Sequence, residues 1–267
     1  DIGAIPMVCF FGQVSRKQIN KFPSQYYDYV QSFGHYCRSV EQVDVAERLP
    51  EITARAFQLA QTGTPGPVIV ALPTDILNEE IETEPRGPQT AWKAEPSSRE
   101  LEAVTALLET AERPVMITGA ESKSPAARQA LTTFAEQYGL PVLPNQVHQH
   151  VISHDHPNFA GAIGGATPQS VKETVWNADV VLAVGSRMTN KGSVGFTVPS
   201  KDQKLIHIYP DADMIGRIYH TELGVVSSGE PFWSAMIERN APPPSEVRKA
   251  WVAQSRKNYT DTSDFVP

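Results

Sequence analysis

The chain has 267 residues, 40% of them hydrophobic, which is enough for one large domain or two ordinary ones. Its 23 basic and 30 acidic residues give a net charge of -7, which disfavours nucleic acid and anionic membranes as partners. No apolar run approaches the roughly 20 residues that a membrane helix needs, and two cysteines are too few for a disulfide framework. We therefore expect a soluble, cytoplasmic protein with reduced thiols at Cys9 and Cys37.

The first part of the chain predicts two strands and one helix. Residues 5–11 are an apolar run closed by Gly12, typical of a strand that is buried on both faces of a parallel sheet. Apolar residues recur at three- and four-residue steps between Val45 and Ala60, which predicts an amphipathic helix, and residues 68–72 predict a second strand. Two strands and one helix make only part of a sheet, so these residues are expected to belong to a larger α/β domain.

The carboxyl end of the first predicted strand is a candidate site. Gly12 and Gln13 lie where open α/β sheets bind ligands, although a glycine turn followed by a polar loop residue is the commoner explanation. Residues 17–36 beyond them are crowded with aromatic side chains. These rings either pack down a long loop or form the wall of a pocket or subunit interface, and the sequence leaves both alternatives open.

A second domain follows a linker. Residues 78–98 are acidic and proline-rich without apolar periodicity, and a capping-box pattern at Ser97 and Glu100 then begins a helix. The alternation that follows predicts an α/β fold, with a parallel sheet covered by helices on both faces. The predicted order is helix 98–111, strand 114–118, helix 125–138, strand 140–144, helix 168–177, strands 179–184, 204–208 and 223–227, and helix 231–239.

Glycine-containing turns mark one edge of this predicted sheet. An apolar run ends at Gly119 and passes into a helix start, with Ser124 as a suitable N-cap and Pro125 in the first turn. Backbone N–H groups of such a turn point outward, where the helix dipole favours an anion. The Gly119 turn is expected to form a crevice together with the turns at 161–165 and 185–187. The pattern is typical of a nucleotide site and also of ordinary strand-to-helix connections.

Four histidines between His148 and His156 suggest a metal site only weakly. Their spacing matches no regular pair of ligands on one helix face, and neither cysteine is nearby in the sequence. A solvated loop without a metal is therefore the prediction.

The end of the chain is predicted to be a linker. Residues 241–244 are a stiff, proline-rich spacer, residues 245–257 have modest helical character, and residues 258–267 have no periodicity. A chain that ends this way is expected to continue into a further domain.

Five motifs in order carry a family resemblance: GQV at 12–14, TGTPGPVIVALPTD at 62–75, ERPVMITG at 112–119, ADVVLAVGSR at 178–187 and LIHI at 205–208. Together they resemble the acetolactate synthase group of thiamine diphosphate enzymes. The resemblance implies that residues 1–85 are the end of a pyrimidine-binding domain and residues 95–240 a Rossmann-like central domain. Residues 241–267 would then lead to a diphosphate-binding domain.

The resemblance also implies a function. Members act on 2-keto acids as decarboxylases or carboligases with thiamine diphosphate and magnesium, and are expected to be homodimers or homotetramers. The activating glutamate and the metal motif would lie outside this chain, which alone is expected to be inactive.

Specific site residues follow from the same resemblance. Gln13 is the predicted catalytic residue, beside Gly12 in the cofactor site. Several members bind FAD or ADP in the central domain and others bind none, and Arg187 could hold a phosphate bidentately. A non-catalytic nucleotide-binding module is the alternative function. The predicted nucleotide positions are Gly119, Ala120, Gly164, Gly165, Gly185, Ser186, Arg187 and Asn190.

Overall fold

The computed structural model describes residues 3–87, 89–239 and 241–263. Residues 1–2, 88, 240 and 264–267, which belong to the predicted domains and linkers, lie outside this description. The chain divides into two compact units, Asp1–Trp92 and Lys93–Pro267. The division falls within the proline-rich stretch that was expected to connect two domains.

The first unit contains a three-stranded parallel sheet of order β1-β3-β2. Its helix α2 buries Ile52, Ala56 and Ala60 against the β3 residues Val68 and Val70, as the periodicity predicts. Strand β2 and the short helix α1 are not among the predicted elements. The elements are β1 (Met7–Gln13), α1 (Tyr29–Phe33), β2 (Ser39–Gln42), α2 (Leu49–Gln61) and β3 (Pro67–Pro73).

Strand β1 is not buried on both faces, so that prediction is wrong. Met7, Phe10 and Phe11 are 50%, 45% and 37% exposed. Among the described residues β1 pairs with β3 alone, which makes it an edge strand. An apolar run identifies a strand but does not give its place in the sheet.

The second unit is a doubly wound α/β structure, as predicted. All five strands are parallel, in the order β5-β4-β6-β7-β8. Helices α3, α4 and α6 bury side chains in one core cluster, while α5 and residues of α7 pack in another. The elements are α3 (Ser98–Thr110), β4 (Pro114–Thr118), α4 (Pro125–Tyr138), β5 (Val142–Pro144), α5 (Gln169–Trp176), β6 (Val180–Val184), β7 (Lys204–Tyr209), β8 (Leu223–Val226), α6 (Gly229–Glu238) and α7 (Glu246–Ser263).

The predicted helix starts are confirmed by their caps. Ser97 and Glu100 form the full capping box, with Ser97 N donating to Glu100 Oε2 at 2.7 Å. The Ser124 hydroxyl accepts from Ala127 N at 3.0 Å, with Pro125 in the first turn of α4. No helix in the described ranges has the length and apolar character that crossing a bilayer requires.

The segment predicted as a linker from 241 is largely helical. Helix α7 continues through residues 258–263, where the sequence shows no periodicity. Contacts with the rest of the unit hold the helix in place: Trp251 Nε1 donates to Pro114 O at 2.9 Å, and Asn258 Nδ2 donates to Thr174 Oγ1 at 2.9 Å. Buried Arg248 adds bonds at 3.0–3.1 Å to the carbonyls of Ala111 and Tyr138, at the C-terminal ends of α3 and α4. A cation at two helix C-termini complements both helix dipoles.

We expect Arg248→Ala to lower the free energy of unfolding by about 2–4 kcal/mol, because it leaves two buried carbonyl groups without their donors. Urea unfolding of the whole chain measures this. The matched control is Lys249→Ala, whose exposed side chain bonds to the exposed Glu246 and should change stability by less than about 0.5 kcal/mol. Equal effects of the two substitutions would show that Arg248 does not anchor α7.

Candidate functional site

The order of strands in the second unit reverses between β4 and β6. The chain leaves β4 for β5 on one side and then returns past β4 to β6 on the other. Ligands of open α/β sheets bind beyond the carboxyl ends of the strands at such a switch point. The turns that follow β4 and β6 here begin with Gly119 and Gly185.

These two turns are in direct contact. Gly119 N donates to Val184 O at 3.1 Å and Ala120 N donates to Gly185 O at 3.2 Å. A Cβ atom on Gly119 would lie 2.2 Å from Gly185 O, so the approach requires glycine. The N–H groups of the Gly119 turn are expected to point outward. For Gly119 N and Ala120 N this prediction is wrong, because the carbonyl groups of Val184 and Gly185 accept them.

Steric constraints require glycine at position 185 as well. Its φ is +64°, in the left-handed region, and a Cβ atom there would lie 2.6 Å from Glu121 Cβ. A Cβ atom on Gly229, the first residue of α6, would lie 2.9 Å from the same Glu121 Cβ. Glu121 is thus packed between the turn after β6 and the start of α6.

The Glu121 carboxyl group caps α6. Its Oε2 accepts from Gly229 N at 3.3 Å, whereas the N-cap residue Ser228 makes no side-chain capping bond of its own. Burial raises the pKa of Glu121, and the bonds from Gly229 and Ser228 and the charges of Lys93 and Lys123 only partly oppose this. Glu121 is not among the predicted site residues. The sequence Ser-Ser-Gly-Glu at 227–230 is typical of a helix start, but it does not indicate that a residue as distant as Glu121 caps the helix.

Ser186 extends the contact towards β5 and β7. Its buried hydroxyl accepts from Asn145 Nδ2 at 3.2 Å, at the end of β5. The His207 Nε2–H on β7 donates to Ser186 O at 2.8 Å, and burial lowers the pKa of this histidine. Asn145 and His207 are further residues of this contact that the sequence alone does not indicate. Their bonds to Ser186 can be recognised only when the order of the strands is known.

The remaining predicted nucleotide positions are less closely joined to this contact. Arg187 is half-buried, and Asn190 is exposed in the following turn, where its carbonyl accepts from Gly195 N at 2.8 Å. Gly164 contacts Gln146 beyond β5, since a Cβ atom there would lie 2.3 Å from Gln146 Oε1. Gly165 is exposed with open space beside it. The structure thus brings four predicted residues together: Gly119, Ala120, Gly185 and Ser186.

A pocket of about 220 Å³ lies near the N-terminus of α5. Gly164, Gln146, Gln149 and Thr167 line it together with apolar groups and Tyr259 of α7. No lysine or arginine is among its lining residues, and it is smaller than the roughly 300–1,000 Å³ typical of small-molecule sites.

In the first unit, Gln13 is buried at the end of β1. Its Nε2 donates to Tyr27 O at 2.7 Å and its Oε1 accepts from Val14 N at 3.0 Å. The Tyr29 hydroxyl donates to Gly12 O at 3.0 Å, and the Tyr29 ring stacks on Phe11 at a centroid distance of 5.3 Å. Within this unit Tyr29 and Phe11 therefore pack the loop down, while Phe22, Tyr27 and Tyr36 are exposed, so the structure contains both a packed loop and an exposed aromatic surface.

An ion pair joins the turns after β1 and β3. Arg16 donates through its backbone N and its Nε to the Asp75 carboxylate, at 3.0 and 2.8 Å, and also bonds to Glu79. The hydrogen bonds from Arg16 lower the pKa of Asp75 to about 2. Neither residue is among the predicted site residues, because residues 59 apart in sequence meet only when β1 pairs with β3.

The sequence predicts a solvated loop for the histidine segment, but part of this segment is buried. His148 is only 7% exposed, and burial, then Lys123 and His150, lower its pKa from 6.5 to about 4. No group of three or more histidine, cysteine or acidic side chains in the described part of the chain is placed to hold a metal ion.

Two other histidines in the segment also have structural contacts. The His154 ring stacks on Phe159 at 4.4 Å between centroids, and its Nε2 donates to Gln149 O at 3.2 Å. His156 donates to Glu136 Oε1 at 3.1 Å and accepts from Asn158 N at 3.1 Å. These imidazoles hold the loop against α4 and α7, because Phe159 also packs on Tyr259.

The second unit matches a known family model. The model describes the central domain of thiamine pyrophosphate enzymes, and it matches residues 101–236. The matched range starts within α3 and ends within α6, so it includes all five strands of the sheet and the Gly119 and Gly185 turns.

Individual relatives match more of the chain. It is 30% identical over 259 residues to a glyoxylate carboligase of Escherichia coli O157:H7, covering 96% of this chain and 43% of the relative. It is 26% identical over 242 residues to the acetolactate synthase large subunit of Corynebacterium glutamicum, covering 89% and 39%. A sulfoacetaldehyde acetyltransferase of Alcaligenes xylosoxydans is 29% identical over 213 residues, covering 79% and 32%. The chain therefore spans less than half the length of each of these relatives.

We expect Gly119→Ala to destabilise the chain by about 3 kcal/mol or more, because the added methyl group would collide with the backbone of the Gly185 turn. Thermal unfolding measures the effect. Gly165→Ala is the matched control, since nothing lies within 4 Å of its Cβ position, and it should change stability by less than about 1 kcal/mol. A Gly119→Ala protein as stable as the control would contradict the close contact of the turns.

His148 should make the chain less stable in acid. Because its pKa in the folded protein lies below the ordinary 6.5, the unfolded chain binds the proton first. Its contribution to the free energy of unfolding is complete above pH 6.5 and decreases towards pH 4. Urea unfolding near both limits should show a loss on the order of 2 kcal/mol that is absent in His148→Gln. Exposed His220→Gln should retain the loss, and an unchanged pH dependence in His148→Gln would refute the assignment.

Proposed function

The chain belongs to the thiamine pyrophosphate enzyme family, and from this premise we propose that it is part of a thiamine diphosphate-dependent enzyme that decarboxylates or ligates 2-keto acids. The observation that carries the proposal is the match to a carboligase along 96% of the chain, rather than along the central domain alone. The named substrate of that relative, glyoxylate, is the smallest 2-keto acid.

The proposed division of labour follows the two units. Residues 1–85 would be the end of the pyrimidine-binding domain, residues 95–240 the central domain, and residues 241–267 the connection to a diphosphate-binding domain, with α7 as its docked part. Thiamine diphosphate, when bound, supplies an electron sink for decarboxylation. Its activating glutamate and the ligands of its magnesium ion are proposed to lie in the parts of the longer protein that this chain does not include.

The proposed part of Gln13 is to position the loop that follows β1. Both atoms of its amide group bond to backbone groups of residues 14 and 27, so the side chain holds the loop at the carboxyl end of the strand. This end is where the substrate and cofactor of an open sheet are expected. Gln13 would then act on the reaction through the placement of neighbouring loop residues.

We propose further that the intact enzyme is a homodimer or homotetramer. Apolar side chains at the surface of the first unit support this, since Phe11 of β1 and Tyr27 of the aromatic loop are both exposed and both contact the Phe33 ring. Exposed apolar groups that lie together are typical of surfaces that bind another protein.

The test compares this 267-residue chain with the product of its complete reading frame. Carbon dioxide release from glyoxylate and pyruvate is measured with and without thiamine diphosphate and magnesium. We expect release by the longer protein only when both cofactors are present, and none by the 267-residue chain. Turnover by the short chain would show that the cofactor site is complete within it. A longer protein without activity on any 2-keto acid would overturn the proposed function.

A further inference from the structure

We propose that the second unit does not take up FAD or ADP, because the Glu121 side chain fills the place at which such a nucleotide would set its phosphates. The inference concerns the carboxyl edge of this sheet alone and does not depend on the proposed reaction. It departs from the family-based expectation of a nucleotide across the Gly119 and Gly185 turns.

The phosphates of a nucleotide on an open α/β sheet need free backbone N–H groups, which helix N-termini at the carboxyl edge provide. At the start of α4, the Ser124 hydroxyl accepts from Ala127 N at 3.0 Å. At the start of α6, Glu121 Oε2 accepts from Gly229 N at 3.3 Å. At each of these two helix starts, an N–H group that could bind a phosphate is therefore already bonded to an oxygen atom of the chain itself.

The third helix start at this edge belongs to α5 and lies beside the pocket of about 220 Å³. That pocket is smaller than typical small-molecule sites, and no lysine or arginine lines it to balance a diphosphate. It offers no replacement for the place that Glu121 occupies.

Glu121 is held in this place by packing. Its Cβ lies so close to Gly185 and Gly229 that a methyl group on either glycine would approach it to within 2.6 or 2.9 Å. The preceding residue is fixed in turn, because Ala120 N donates to Gly185 O at 3.2 Å. The two turns therefore fix the backbone and Cβ of Glu121, and the bond from Gly229 N holds its carboxyl group at the start of α6.

The charges around the start of α6 also oppose a diphosphate. Glu230, the second residue of the helix, lies 2.8 Å from Lys93 Nζ, so the positive charge of this lysine is paired with a carboxylate. The Ser124 hydroxyl donates to the same Glu230 carboxylate at 3.0 Å. An incoming diphosphate would meet the Glu121 and Glu230 side chains, and the nearby cations Lys93 and Lys123 already interact with these two acidic groups.

Titration calorimetry of the full 267-residue chain with ADP and with FAD tests the proposal. The wild type should bind neither nucleotide, and Glu121→Gln, which keeps the size of the side chain, should bind neither as well. Glu121→Ser and Glu121→Gly clear the place and expose Gly229 N, so they should bind ADP with an affinity at least about tenfold above the weakest binding that the titration can detect. Circular dichroism shows which variants are folded.

Glu230→Ser is the matched control, because it removes a negative charge at the same helix start without clearing the Glu121 position. Because it frees Lys93 but leaves the Glu121 side chain in place, its gain in ADP affinity should be smaller than that of Glu121→Ser. ADP or FAD binding by the wild type overturns the proposal outright. An equal gain in Glu230→Ser and Glu121→Ser would assign the effect to net charge, and folded Glu121→Ser or Glu121→Gly without any gain would show that Glu121 is only a helix cap. Either result refutes the filled site.

Discussion

The contact between the Gly119 and Gly185 turns is the constraint on which the carboxyl edge of the second unit depends. Two neighbouring parallel strands end at the same level, and Ala120 N reaches Gly185 O only because neither glycine carries a side chain. This approach presses Glu121 against the start of α6. Beside it, Ser186 lies between Asn145 of the β5 turn and His207 of β7. The close contact of the two glycine turns thus lies at the centre of the residues that join the ends of β4, β5 and β6 to β7.

Two ionisable side chains, the buried Arg248 and the half-buried Glu121, bond to helix ends that are distant from them in the sequence. Arg248 of α7 donates to carbonyls at the C-terminal ends of α3 and α4, and the Glu121 carboxyl group accepts from the first N–H of α6. Each charge has the sign that the helix dipole favours. Because both groups are desolvated, each has a pKa displaced towards its neutral form. The bond from Gly229 N to Glu121 therefore completes the start of α6 and also occupies the N–H group that a nucleotide phosphate would use.

Local signals in the sequence predict the elements of the second unit well. Strand 114–118, helix 125–138 and the capping box at Ser97 are observed as predicted, since apolar periodicity and caps depend on neighbouring residues. The end of α7 is missed because tertiary contacts of Asn258 and Tyr259, rather than a periodic apolar face, hold it. Exposure of β1 is missed for a related reason, namely that strand order decides which strand lies at an edge.

The candidate site is predicted in part. The glycines that follow strands identify the Gly119 and Gly185 turns, because strand ends of a parallel sheet share an edge. What fills the space between them depends on Glu121 and Gly229, which are 108 residues apart and meet only through the order of the strands. The same limit hides the Arg16–Asp75 pair, whose partners come from different strand ends of the first unit.

A crystal structure of the chain grown with ADP and FAD present tests the occupied helix start most directly. The account predicts the Glu121 carboxyl group within hydrogen-bonding distance of Gly229 N, with no nucleotide between the Gly119 and Gly185 turns. A nucleotide phosphate bound to Gly229 N, with Glu121 displaced from the start of α6, would contradict it.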